Sequence, residues 1–260
     1  MGDHADLAMV YDRIVRGIPY DACANYIERV VSGRGGRISR VLDLACGTGN
    51  SLLPWAKRGC RTAGLDISRE MLAAAQAKLE AAGLPAEFIQ GDMSAVALPQ
   101  EYDLVTCLDS INYLPDGGAL ASTVKAAYDA LVPGGFFAFD LKSAYQLLNT
   151  PEDTVVIDEE DLALCRENRY LPDEGTLQVT LTAFVREGEL YRKLCETHCE
   201  RAFATEGVGE LLRLSGFEVV GIYHAFTEAP PRDDSMRVFL FGRRPGPAQA
   251  RTNCGTAQGN

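Results

Sequence analysis

Residues 41–50 read VLDLACGTGN: apolar residues around one acid, then a cysteine and two glycines one residue apart. Val41, Leu42 and Leu44 predict a short buried strand. Gly47 and Gly49 predict a turn at its carboxyl end, where the backbone can take positive φ and approach a ligand closely. In an open parallel sheet ligands bind beyond the carboxyl ends of the strands, so this turn lies where a site would lie. A lone G-x-G is equally a tight strand-to-helix turn with nothing bound. The rest of the chain has to decide.

Outward from this stretch the pattern repeats. A helix (SLLPWAKRG), a strand (TAGLD), a helix (SREMLAAAQAKLEAAG) and two strands (EFIQ, YDLVTCL) follow in order. A helix near 118–131 and a strand, GGFFAFDL, complete the run. Strands alternating with helices predict right-handed crossovers and a parallel sheet covered on both faces. Before it, Ala22, Tyr26, Ile27 and Val30 recur at helical spacing until Ser32, Gly33, Gly35 and Gly36 end the segment. Over 151–204 the alternation breaks. LQVTLTAFV and LYRKLCETHCERAF are joined by Arg186-Glu187-Gly188-Glu189, which predicts an antiparallel hairpin. The helix TEGVGELLRLSG and the strands FEVVGIYHAF and MRVFLFGRR close the fold. The expectation is an α/β chain: a doubly wound, mostly parallel Rossmann-like sheet with an inserted antiparallel β-sheet. Its parts are an N-terminal helical lid (1–39), a core (40–140 and 205–244), an inserted sheet covering the substrate (141–204) and a disordered tail (245–260).

The 260 residues suffice for one large domain or a core with an insertion. Eight scattered cysteines without a C-x-x-C predict a reduced, cytoplasmic protein rather than a disulfide scaffold. No apolar run approaches a membrane span, and MGDHADLAMVYDR lacks the features of a secretory signal. A formal charge of −11 with no basic patch disfavours a nucleic-acid partner.

The acids discriminate between ligands. A dinucleotide fingerprint needs a third glycine, but the run here is Gly47-Thr48-Gly49-Asn50-Ser51-Leu52. Asp43, just before the turn, would disfavour a pyrophosphate and suits a cation. Asp66 ends the second strand, where a carboxylate can accept from both ribose hydroxyls. Asp92 after the third strand can accept from an adenine amine, with Met93 packing on the ring. Asp109 follows the fourth strand. One such acid is often only a helix cap; four in register with the glycine turn point to a ligand.

VLDLACGTG, GLDIS, QGDM, YDLVTCLDSINYL and LVPGGFFAFDL together resemble the motif series of class I S-adenosylmethionine-dependent methyltransferases, over roughly residues 8–244. The chain is similar to a bacterial group of small-molecule methyltransferases that share the early Tyr-Asp, the C-x-D-S-x-N-Y-L segment and an inserted sheet. Amino-sugar N-methyltransferases look like more distant relatives. The resemblance implies S-adenosyl-L-methionine as cofactor. It implies Ala45, Gly47 and Gly49 along the methionine moiety, with Asp43 supporting that turn and the ammonium side. Asp66 would take the ribose, with Ile67 and Met71 also among the cofactor-binding residues. Gly91, Asp92 and Met93 would frame the adenine, and Leu108, Asp109 and Ser110 would line the other side. Tyr11 and Tyr20 would close over the sulfonium.

Methyl transfer from an activated sulfonium needs mainly alignment of the nucleophile and, for some acceptors, removal of a proton. Candidates for that work are Tyr11, Tyr113 and His198. An aromatic face beside a cation is favourable, which suits Tyr11. Tyr113 falls where the amino-sugar enzymes look to carry a histidine. The base-modifying motif Asn/Asp-Pro-Pro-Tyr/Phe is absent. If 190–203 is a strand, Tyr191, Cys195, Cys199 and Phe203 share one face, and Arg192, Glu196, His198 and Glu200 the other. Cys195, His198 and Cys199 then cannot hold one metal, and none is expected. The polar face either meets water or roofs the site, with His198 as proton acceptor. The favoured reading is methyl transfer to O or N of a small molecule, with no membrane partner and a homodimer left open. The alternatives are a protein or tRNA substrate, or cofactor binding without catalysis.

Overall fold

The computed structural model describes residues 7–152 and 154–246. His4, Cys254 and the tail expected beyond 246 lie outside the described residues.

A 3-10 turn (Leu7–Met9), α1 (Tyr11–Ile14) and α2 (Tyr20–Ser32) precede the first strand. There follow β1 (Arg40–Leu44), α3 (Leu53–Lys57), β2 (Arg61–Asp66), α4 (Arg69–Ala81), β3 (Ala86–Gln90) and β4 (Tyr102–Cys107). A second 3-10 turn (Ile111–Tyr113), α5 (Gly117–Ala130) and β5 (Leu131–Lys142) complete the alternating run. The seven-stranded sheet has the order β10-β11-β5-β4-β1-β2-β3, with β10 (Glu218–His224) and β11 (Arg237–Arg243) the last elements of the chain. Strands β3, β2, β1, β4 and β5 run parallel, and β11 and β10 add antiparallel at the β5 edge.

Burial on both faces explains the apolar runs. Successive residues of β5 serve opposite cores. Phe137 and Phe139 pack with Leu42, Leu44 and Val105 beside α5 and α7 (Thr205–Leu214). Phe136 and Ala138 pack with Val41, Leu104, Phe239 and Phe241 against Tyr26, Ile27 and Val30 of α2 and Trp55 of α3.

After α6 (Ala144–Asn149), β6 (Thr154–Glu159), β7 (Leu162–Leu171), β8 (Thr176–Glu187) and β9 (Leu190–Arg201) form a four-stranded antiparallel sheet in chain order. The β8–β9 turn is tighter than the sequence suggests: Glu187 pairs with Leu190, leaving Gly188 at φ 65° and Glu189 between them. Leu162, Leu164, Leu177, Val179, Leu181 and Leu194 make this sheet's apolar core, which also takes Leu7 and Val10 from the amino-terminal segment. Asn112 staples the two sheets. Its side-chain amide donates to the Lys142 carbonyl (3.0 Å) and the Arg201 carbonyl (2.8 Å), while its oxygen accepts from the Lys142 N–H (2.8 Å).

Candidate active site

The chain leaves β1 through three left-handed residues: Ala45 (φ 56°), Gly47 (φ 53°) and Gly49 (φ 78°). Asp43 lies under this turn rather than on a cavity wall. It is 1% exposed and accepts from the hydroxyls of Ser51 and Thr106. Burial, partly countered by those two hydroxyls, pushes its carboxyl up to about 7, with Asp66 and Asp140 adding to the rise. Asp66 accepts from the Gly47 N–H (2.8 Å) and the Ser68 N–H (2.9 Å), so β2 and the turn share one carboxylate. The two glycines have different reasons to be there. A Cβ on Gly47 would come 3.6 Å from the Tyr11 ring, an ordinary contact; one on Gly49 would press on Ala75 (3.1 Å) and Leu79 (3.2 Å) of α4. Gly49 therefore lets a helix pack closely, while Gly47 lines the cavity above the turn.

A cavity opens above the turn, lined by Tyr11, Tyr20, Ala45, Cys46, Gly47, Thr48, Asn50, Ser51, Leu108, Asp109 and Ser110. Tyr11 is carried on α1, which is fastened on two sides through the adjacent residues Asp12 and Arg13. Asp12 accepts from Thr48 (2.6 Å), Asn50 (2.9 Å) and Lys78 (2.8 Å), and Arg13 pairs with Glu159 and Asp161 of the inserted sheet. Burial first, then Asp109, Asp66, Asp12 and Glu196, hold the Tyr11 phenol far above its ordinary value; burial, Tyr11, Asp109 and Asp43 do the same to Tyr20. Both phenols stay protonated, and the field around them is negative.

The remaining strand-end acids are tied to protein partners. Asp92 accepts from the Ser94 N–H (2.8 Å) and hydroxyl (2.7 Å). Gly91 donates to the Asp66 carbonyl (3.0 Å), Met93 is buried with its sulfur 3.9 Å from that of Cys107, Met71 is buried, and Ile67 is half exposed. Asp109, at φ 55°, pairs with Arg237 (2.7 Å) and Lys142 (3.4 Å), and its N–H donates to Asp140 (2.7 Å), which Arg237 also holds.

The inserted sheet meets the Ser110–Tyr113 loop along β9. Strand alternation on β9 is as the sequence implies: Cys195 and Cys199 are exposed, whereas Glu196 (5%) and Glu200 (2%) are buried. The polar face of β9 is thus turned inward at Glu196 and Glu200, with His198 partly buried between them and Arg192 partly exposed at the strand's start. The Tyr113 hydroxyl lies 3.5 Å from His198 Nε2, with ring centroids 4.9 Å apart. Tyr113 sits deep in the fold yet is 38% exposed, as a residue lining an open cleft must be. Desolvation, then Glu200, Tyr11 and Asp109, hold its phenol well above its ordinary value, with Arg166 opposing. Tyr113 and His198 thus bring the Ser110–Tyr113 loop against β9.

Residues 41–135 match the family described as Methyltransferase domain. YqeM of Bacillus subtilis (strain 168), a protein named as a methyltransferase, is 33% identical over 240 residues, covering 91% of this chain and 95% of that one. The crystal structure of a S-adenosylmethionine-dependent methyltransferase from Clostridium acetobutylicum ATCC 824 aligns with a TM-score of 0.82 at 27% identity, over 93% of this chain and 98% of that chain. The chain belongs to the S-adenosylmethionine-dependent methyltransferases. The sugar N-methyltransferase KedS8 from Streptoalloteichus sp ATCC 53650 is also similar, with a TM-score of 0.75 at 27% identity over 90% of this chain and 92% of its own.

The cavity of this methyltransferase fits its family's cofactor. The aspartates that act on Tyr11 and Tyr20 make the space negative, which suits a ligand bearing a sulfonium and an ammonium and disfavours a pyrophosphate. Sequence reading singled out the Tyr11-Asp12 pair without a partner for Asp12, and missed Thr48, Lys78 and the frame of Asp140, Lys142 and Arg237. Asp140 sits near the end of β5 as the other acids end theirs, so the same rule would have found it. Arg237 had no local signal. It reaches the site because β11 pairs with β5, setting Arg237 opposite Lys142. Among the described residues no cluster of His, Cys, Asp and Glu could hold a metal ion, and no helix is long and apolar enough to cross a membrane.

Proposed function

We propose that this methyltransferase transfers the methyl group of S-adenosylmethionine to O or N of a small molecule. The observation that supports the reading is the cavity above the β1 turn, walled by Tyr11 and Tyr20 of the amino-terminal segment and by Leu108, Asp109 and Ser110, with Tyr113 of the same loop beside His198 of the inserted sheet. A cavity walled by the amino-terminal segment suits a small acceptor better than a folded protein or an RNA. The similarity to a sugar N-methyltransferase supports the same class. The free thiols of the described residues suit a reducing, cytoplasmic setting.

When bound, the cofactor supplies a methyl group already activated on sulfur. The chain's own residues then have four tasks. Asp66, Ile67 and Met71 hold the ribose side, and Gly91, Asp92 and Met93 hold the adenine. Ala45, the Gly47 backbone, Leu108 and Ser110 bound the methionine side. Tyr11 and Tyr20 present neutral phenols that exclude water from the reacting centre. Tyr113 orients the acceptor, and His198 takes its proton.

The test is transfer from methyl-labelled S-adenosylmethionine into a host extract separated by size. Label in the small-molecule fraction is expected. Label confined to protein or RNA overturns the substrate class, and cofactor binding without any label in an extract known to hold the acceptor pool points to a non-catalytic role.

A further inference from the structure

An alternating row of charges crosses the site from the core to the inserted sheet. Arg237 joins Asp140 to Asp109 (2.7 Å to the latter). Lys142 joins Asp109 (3.4 Å) to Glu200 (2.7 Å). Glu200 Oε1 lies 4.0 Å from His198 Nε2, and Glu196 Oε1 lies 3.9 Å from His198 Nδ1. Negative and positive groups take turns along the row, and the place His198 occupies is one where a cation completes the alternation. Glu196, His198 and Glu200 are every second residue of β9, so the pleat sets all three on the inner face. Both carboxylates are nearly solvent-free, where a charge acts with little screening.

We propose that Glu196 and Glu200 are positioning residues: they hold the His198 ring and stabilise its imidazolium, so that Nε2 accepts the proton of an N–H or O–H acceptor. This rests on the methyl-transfer reading above. The lone pair on Nε2 forms the new N–H bond, the electrons of the broken bond stay on the acceptor atom, and the charge gained by the ring is met by carboxylates on both sides. The Tyr113 hydroxyl beside Nε2 keeps its own proton and fixes the acceptor's approach. Lys142 ties Glu200 to Asp109, so the proton acceptor is registered to the wall of the cofactor cavity. From the other elements, Tyr113 of the 3-10 turn lies against the ring, and Lys142 of β5 pairs with Glu200 beside it. Val179, opposite His198 on β8, and its neighbours Leu177 and Leu181 carry no titratable group.

The experiment is a pH titration of the His198 ring by nitrogen-15 NMR on the full chain, whose three histidines are sorted by the loss of one signal set in His198→Gln. Glu196→Gln and Glu200→Gln are each expected to lower the midpoint by about one pH unit, as loss of a carboxylate at this range should. Glu200→Asp should fall between wild type and Glu200→Gln, and Lys142→Met should raise the midpoint. A midpoint common to wild type and all four variants overturns the proposal, as does a rise in either glutamine variant. If Glu200→Gln does not fold, Glu196→Gln decides alone. S-adenosylmethionine titrated into the same wild-type sample reports separately on the functional reading: failure to bind refutes that reading, while the ring titration still tests the two glutamates.

Discussion

Asp43→Asn separates the structural burden of the glycine turn from its ligand chemistry. The folded Asp43 carboxyl is pushed up to about 7 from 3.8, chiefly by burial. The unfolded chain loses that proton near ~3.9. Between these values the folded state holds a proton that the unfolded state has released, so stability falls as pH rises, by about 1.4 kcal/mol per pH unit. The contribution is complete below about pH 4 and gone once pH exceeds the folded value. Over pH 5 to 8 the wild type should lose roughly 2–3 kcal/mol through this group. Asparagine keeps the shape, accepting from one of the Ser51 and Thr106 hydroxyls and donating to the other, but has nothing to ionise. The offset of substitution is the same at every pH, so the difference between variant and wild type isolates the titration. Urea unfolding at pH 5, 6, 7 and 8 should show the variant gaining on wild type by roughly 2–3 kcal/mol across the range. Parallel curves would refute the assignment of a buried, proton-holding Asp43.

Asp66→Ala should weaken S-adenosylmethionine binding tenfold or more by calorimetry, because hydrogen bonds to a charged acceptor contribute about 1.5–3 kcal/mol each; unchanged affinity would remove Asp66 from the site. Asp12→Asn loosens the hold of α1 on Thr48 and Lys78, and stopped-flow mixing should show S-adenosylmethionine leaving several-fold faster (about 1 kcal/mol). Asn112→Ala leaves three buried backbone groups without their staple and should cost about 2–4 kcal/mol of stability in urea, with a loss under ~0.5 kcal/mol speaking against the staple. Gly49→Ala should cost about 1–3 kcal/mol through its left-handed backbone and the contact with Ala75, while a Gly47→Ala chain should lose less.

The β1 turn and the alternating elements were legible because both follow from local rules: period, apolar runs and glycine at positive φ. The four strand-end acids were legible as positions, but not as partners. Asp109 reads in sequence as a ligand contact; in the fold it lines the cavity and is also clamped by Arg237 and Lys142, which its motif does not announce. That clamp depends on the antiparallel pairing of β11 with β5, which sets Arg237 opposite Lys142, 95 residues earlier in the chain, a non-local event no motif announces. On β9 the period of two told which residues share a face. It could not tell which face is inside, since Glu196 and Glu200 read as surface residues until β9 is seen against the Ser110–Tyr113 loop. Strand β6, with Val155 and Val156 exposed and acids around them, carries no alternation to read.

The double fastening of α1 bears on turnover. One anchor, Asp12, grips the β1 turn and α4 on the side proposed for the cofactor, and the other, Arg13, grips the inserted sheet proposed to cover the acceptor. A four-residue latch gripping both cannot release one compartment while keeping the other sealed. Spent cofactor and methylated product should therefore depart through one shared opening event. Their release rates, followed separately once the acceptor is known, should coincide and respond together to salt; independent rates would mean that the latch yields at one anchor alone.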